Sequence, residues 1–216
     1  MAKKGTYHDV FIKKDGEYIS LAQDTKDFCK TWIKPVHPKN WDWTKRDFND
    51  PKNDPTIAEA RVVRDLIVKD IAKGKTMQIN LSGLENGDAI YAFLDPKSPY
   101  EEFNMEEFAY SLKVELEHGK IRDANVTNNH PFLTAMIVLA HMSETVTYYK
   151  RLKVMETEGE IFEMNRKMVS LKTKAAKKKI ETDIKKAQEE LNEAKVALEK
   201  RLEAMKDIPV LSKIGD

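Results

Sequence analysis

Apolar and polar positions recur with two different periods along this chain, and the change of period marks its segments. In "DVFIKKDGEYISLA" two short β-prone runs flank Asp15-Gly16, a dipeptide that tolerates the positive φ angles of a two-residue hairpin turn. "MQINLSGLENGDAIYAFL" repeats the device: Met77, Ile79 and Leu81 alternate, Asn86-Gly87 stands at a turn, and Ile90 to Leu94 returns. This spacing predicts a second hairpin or meander. Between them, "TIAEARVVRDLIVKDIAKGK" takes the helical period. Ile57, Ala60, Val63, Ile67 and Ile71 share a face, Thr56 and Glu59 stand at capping-box spacing, and the run stops near Gly74. Two hairpins and one amphipathic helix make a small α+β unit, with the helix over one sheet face.

From Asn104 the pattern is helical. "NMEEFAYSLKVELEHG" offers Asn104 as N-cap, Phe108, Leu112 and Leu116 as an apolar stripe, and Gly119 as terminator. "HPFLTAMIVLAHMSETVTYYKRLKVME" opens with Pro131 at a first-turn position, so 104–156 reads as a helical hairpin. From Glu160 to about Lys206 no proline interrupts an Ala-, Glu-, Lys- and Leu-rich run, which predicts one long helix. Ile184, Ala187, Leu191, Ala194 and Leu198 alternate spacings of three and four, a heptad seam. Upstream, Ile161, Met164, Met168, Leu171 and Ala175 follow the same rule until the phase slips at Lys177–Lys179. No second helix in the chain offers itself as a partner, so the seam predicts self-association or docking, with Ile184, Leu191 and Leu198 as contacts.

The resulting class is α+β, predominantly helical. Its parts are an N-terminal β-hairpin region (1–33), an extended Pro/Trp arm (34–55), a helix plus β-hairpin completing a small α+β unit (56–100), a helical hairpin domain (103–157), a long coiled-coil-like amphipathic helix (158–207) and a C-terminal tail (208–216). The arm carries four prolines and no helical period. Trp41 and Trp43 either dock it on a partner subunit or lie over their own domain.

Composition narrows the function. Charged residues are 34% and hydrophobic ones 41%, so the charge must sit on exposed faces or elongated helices. The 37 basic and 36 acidic side chains nearly cancel, so contact with nucleic acid would have to be local. No run of eighteen apolar residues occurs, and no apolar segment follows the N-terminal lysines, which predicts a soluble, unexported chain with no membrane partner. Cys29 is the only cysteine, which excludes an internal disulfide and fits a reducing compartment. Scattered glycines give no phosphate loop, and one Cys with five His gives no arguable nucleophilic triad.

Two features carry candidate chemistry. Glu115 and His118 lie three apart, as do His141 and Glu144 in the opposite order, so each pair shares a helix face. Glu-x-x-His pairs on facing helices can hold a divalent metal, although the loop 119–129 must run back along the first helix to bring them level. Otherwise they are a polar cluster closing the hairpin, and no cofactor is expected. From Arg166 to Lys179 seven basic residues occur with no acidic one, and Lys174, Lys177, Lys178 and Lys179 could lie on phosphates or form a solvated face.

"ELEHG" at 115–119, "NVT" at 125–127, "LAHMSE" at 139–144, "YYKRL" at 148–152 and "ME" at 155–156 together resemble a domain family of unknown function found in bacteriophages and large DNA viruses. The resemblance covers 103–157. Met142, Ser143 and the "TVTYY" stretch depart from its usual pattern. It implies a viral setting and no particular reaction. The expectation is a non-enzymatic structural or assembly protein of a particle, in the virion or host cytoplasm, with other virion proteins or copies of itself as partners. The alternatives are a metal-dependent hydrolase using the Glu/His pairs, and a DNA-contacting packaging accessory using the basic run.

Overall fold

The structure, a computed structural model, describes residues 11–14, 17–20, 22–72, 87–120 and 127–206. Strands β1 (Phe11–Lys14) and β2 (Glu17–Ser20) pair antiparallel, Phe11 opposite Ser20 and Lys14 opposite Glu17. Among the described residues seven α-helices follow: α1 (Ala22–Phe28), α2 (Ile57–Ala72), α3 (Gly87–Leu94), α4 (Glu101–Glu115), α5 (Pro131–Glu144), α6 (Tyr148–Ser170) and α7 (Lys174–Lys206). The protein is mostly helical, in keeping with the predominance of helix expected, whereas the α+β label is not supported. The chain forms two compact units, dividing between Glu144 and Thr145. Among the described residues no helix is long and apolar enough to cross a membrane.

In the first unit α2 to α5 pack on one another, and α1 continues into a π-helical turn (Cys29–Ile33) that touches α2. The expected capping box is formed: Thr56 N donates to Glu59 Oε2 at 2.9 Å, and Glu59 N to Thr56 Oγ1 at 3.2 Å. Residues 87–94 form α3 where a return strand was expected. Ile90, Phe93 and Leu94 stand at i, i+3 and i+4 and all three are buried, so the helical period prevails over the Asn-Gly turn signal. The expected strand at 77–81 lies outside the described residues.

Helix α4 begins at Glu101, with Glu101 and Glu102 favourably placed at the positive end of the helix dipole. Asn104, the expected N-cap, sits inside it and donates its amide to the Phe93 carbonyl at 3.2 Å, tying α4 to the end of α3. Ion pairs hold α4 at both ends. Glu101 receives Arg61 at 2.9 Å and Arg64 at 3.0 Å, while Lys113 reaches Asp54 at 2.8 Å. Helix α5 is buried around most of its circumference, as a central helix must be.

The helical hairpin expected over 104–156 ends earlier, at Glu144. Thr145 and Thr147 share a hydroxyl contact of 3.0 Å, and Thr147 N donates back to Thr145 Oγ1 at 3.4 Å, a local bond that competes with helix continuation. In the second unit the single long helix is two. Leu171 is extended, and Thr173 Oγ1 accepts from Ala176 N at 3.2 Å, capping a new helix. A three-residue link between packed helices leaves only an antiparallel hairpin, joined by Lys195–Glu158 at 2.8 Å. Ile180, Ile184 and Ala187 are buried there, so the seam expected to need another molecule finds its partner in α6.

Candidate functional site

The arm of 34–55 folds onto its own unit around one carboxylate. Glu59, buried by its position in the first turn of α2, keeps one face for the Thr56 cap and turns the other to the arm. Trp43 Nε1 donates to Glu59 Oε1 at 3.0 Å. Arg46 donates to Glu59 Oε2 at 3.1 Å and also to Oε1. The Arg46 guanidinium lies 5.5 Å from the Trp43 ring and 5.9 Å from Phe48, and also bonds the Asn40 carbonyl. Trp43 is fully buried, at 0% exposure, so it is not offered to a partner as the partner-docking reading required; Trp41 is half-buried. With its lone pairs engaged and no solvent access, this carboxylate is structural.

Beneath the arm sits a second polar group that sequence reasoning missed. The cause is "TNNHP", residues 127–131: Asn128 and Asn129 adopt φ of 46° and 57°, the left-handed region that asparagine enters more readily than most residues. This turn carries Asn129 Nδ2 to the Trp43 carbonyl at 3.3 Å and places the His130 ring 4.5 Å from Phe28. Burial pushes His130 down to about 3, so its imidazole is neutral; Nδ1 accepts from Leu133 N at 3.4 Å, and Nε2 has no hydrogen-bond partner among the described residues. Burial likewise pushes the Cys29 thiol up to about 12, offset only in part by the Trp43 backbone, which leaves it an inert core side chain.

The mirrored Glu/His pairs are brought together in part. His141 Nε2 lies 3.6 Å from Glu115 Oε1, and Nδ1 lies 4.0 Å from Glu144 Oε1. The two carboxylates thus face opposite nitrogens of one ring. A single ion cannot be held by one imidazole nitrogen and both carboxylates in that arrangement. His118 is exposed on a 3-10 turn beyond α4, outside the cluster. Among the described residues, no group of three or more His, Cys, Asp or Glu side chains is placed to hold a metal ion. The expected four-ligand set is therefore not assembled, and the arrangement suits charge pairing between α4 and α5 when His141 is protonated.

The remaining candidates fall on the hairpin. Lys174, Lys177, Lys178 and Lys179 are exposed on the first turns of α7, and Arg166 pairs with Glu163 at 3.0 Å on α6. The basic run therefore crosses a helix end, a link and a second helix, and is not one continuous helical stripe. Ile184 is buried, and Leu191 and Leu198 are half-buried. Tyr149 is also buried. On the opposite side of α6, Met155, Phe162 and Val169 are exposed at 62%, 61% and 84%. Met155 belongs to the "ME" motif at 155–156, whereas Phe162 and Val169 fall in no motif of the sequence.

No curated protein and no solved structure matches the chain. A family model described as "Protein of unknown function (DUF5661)" matches residues 39–158, more than half of the 216. It takes in the arm with Trp43 and Arg46, the helices from α2 to α5, and the first turns of α6, and reaches further toward the N-terminus than the motif succession over 103–157. The chain belongs to the DUF5661 family of proteins of unknown function.

Proposed function

We propose that this is a non-enzymatic structural or assembly protein of a phage or virus particle, with the α6–α7 hairpin as its attachment element. The observation that carries this reading is the exposed apolar line Met155, Phe162, Val169 on a helix whose other side already packs on α7. Large apolar side chains aligned in water favour a protein contact. The chemistry-bearing side chains of the first unit support it, since Glu59, Arg46 and Trp43 bond one another inside the core. The viral setting rests on the motif succession at 115–156.

The test is association of the intact protein with itself or with purified particles. Concentration-dependent oligomers or stoichiometric recovery in particles are expected. A chain that stays monomeric at high concentration and is absent from particles would sink the proposal. The competing metal-dependent hydrolase is tested on the same sample by elemental mass spectrometry. One equivalent of metal, lost in His141→Ala, would favour it.

A further inference from the structure

The exposed line on α6 has an order that names its occupant. Met155, Phe162 and Val169 are spaced by seven, so they drift only about 20° per step around a helix. The residues beside them are arranged symmetrically about Phe162. Glu158 stands four positions before it and Arg166 four after; Gly159 stands three before and Asn165 three after.

We infer that α6 pairs antiparallel with α6 of a second copy of this chain, about a two-fold axis at Phe162. This deepens the assembly reading and rests on it. In that arrangement Phe162 meets Phe162, Met155 meets Val169, and Glu158 meets Arg166, the last two contacts occurring twice, as a self-complementary interface requires. Parallel pairing would set Glu158 against Glu158 and Arg166 against Arg166, which like charges oppose.

Two features of the single chain fit this geometry. A Cβ at Gly159 would meet nothing within 4 Å, so packing inside the chain does not call for glycine there, although glycine is a poor helix former. Beside Phe162 it lets a second helix come close. The Arg166 guanidinium lies 5.8 Å from the Phe162 ring, so this charge sits beside the apolar line. The intrachain bonds Arg166–Glu163 and Glu158–Lys195 are solvent-exposed and weakly held, so these charges remain open to a further partner.

Sedimentation equilibrium of the full chain tests the inference. A reversible dimer is expected. Phe162→Glu should abolish it with unchanged circular dichroism and Tm, because Phe162 is 61% exposed. Glu158→Arg and Arg166→Glu should each weaken the dimer about tenfold, and the two together in one chain should restore it. Under oxidation, Met155→Cys chains mixed with Val169→Cys chains should cross-link, whereas Met155→Cys alone should not; buried Cys29 adds no background.

A dimer indifferent to Phe162→Glu, or cross-linking by Met155→Cys alone, would overturn the inference. Monomers still recovered in particles would overturn it and leave the assembly reading standing. Monomers absent from particles would remove both.

Discussion

Trp43 donates its indole N–H to Glu59 Oε1 at 3.0 Å, across sixteen positions of chain and wholly within the protein. The same carboxylate caps α2 through Thr56 and neutralises Arg46, so one residue fixes a helix start and a long loop together. Glu59→Gln retains a capping-box side chain but strands a buried guanidinium, and should cost about 3–5 kcal/mol in urea unfolding. Combining it with Arg46→Met should cost less than Glu59→Gln alone. A loss below about 1 kcal/mol, the scale of an exposed pair, would contradict a buried one.

This network also shows what a sequence discloses. The Thr56–Glu59 spacing was legible because a cap is a local relation of type and distance. That Glu59 also receives Trp43 and Arg46 was not, and neither was the Asn129 bond to Trp43 over 86 positions, since distant partners leave no periodic trace. Helix α3 was hidden by Asn86-Gly87, whose turn signal masked the three-four spacing of Ile90, Phe93 and Leu94. The breaks at Thr145–Thr147 and at 171–173 have neither proline nor glycine, and threonine hydroxyls do the work instead. At the candidate site, Glu115, His141 and Glu144 were legible by residue type. His118 shared their spacing, but the 3-10 turn carries it elsewhere.

Gly119 is required by close approach. A Cβ there would lie 1.8 Å from Asn129 Oδ1, and Asn129 cannot yield freely because Nδ2 holds the Trp43 carbonyl. Gly119→Ala should destabilise by about 1–3 kcal/mol, the usual range for overpacking. Adding Asn129→Gly, which suits the φ of 57° and removes the clash, should recover part of that loss relative to Asn129→Gly alone. Additive losses in thermal unfolding of the two single variants and the double would rule the contact out.

His130 should govern stability in mildly acidic solution. Its folded value is pushed down to about 3 by burial, whereas an unfolded histidine titrates near about 6.5. Between those values the unfolded chain binds a proton that the folded chain refuses. Its contribution is therefore intact above about pH 6.5 and declines as pH falls toward 3, by about 1.4 kcal/mol per pH unit. His130→Asn, which keeps a short acceptor near Leu133 N, should lower stability at neutral pH and flatten this slope. Parallel wild-type and variant curves between pH 4 and 6.5 would mean that His130 is not buried as a neutral base.

Glu101 answers in a lower pH window. The Arg61 guanidinium bonding it, at 2.9 and 3.0 Å, is the largest cause holding its carboxyl below the usual range, and Arg64 at 3.0 Å adds to it. Desolvation works the other way and is outweighed. An unfolded glutamate protonates near about 4.3, and the folded one only at lower pH, so between the two the unfolded state binds more protons. The stability that Glu101 supplies is thus complete above its unfolded value and is lost as pH falls through its folded one. Comparing Glu101→Gln with wild type by urea unfolding, the gap should be constant from pH 7 to about 5 and close under more acidic conditions. A gap that persists undiminished at the lowest accessible pH would mean the glutamate acts through packing, and that the two arginines are not its charge partners.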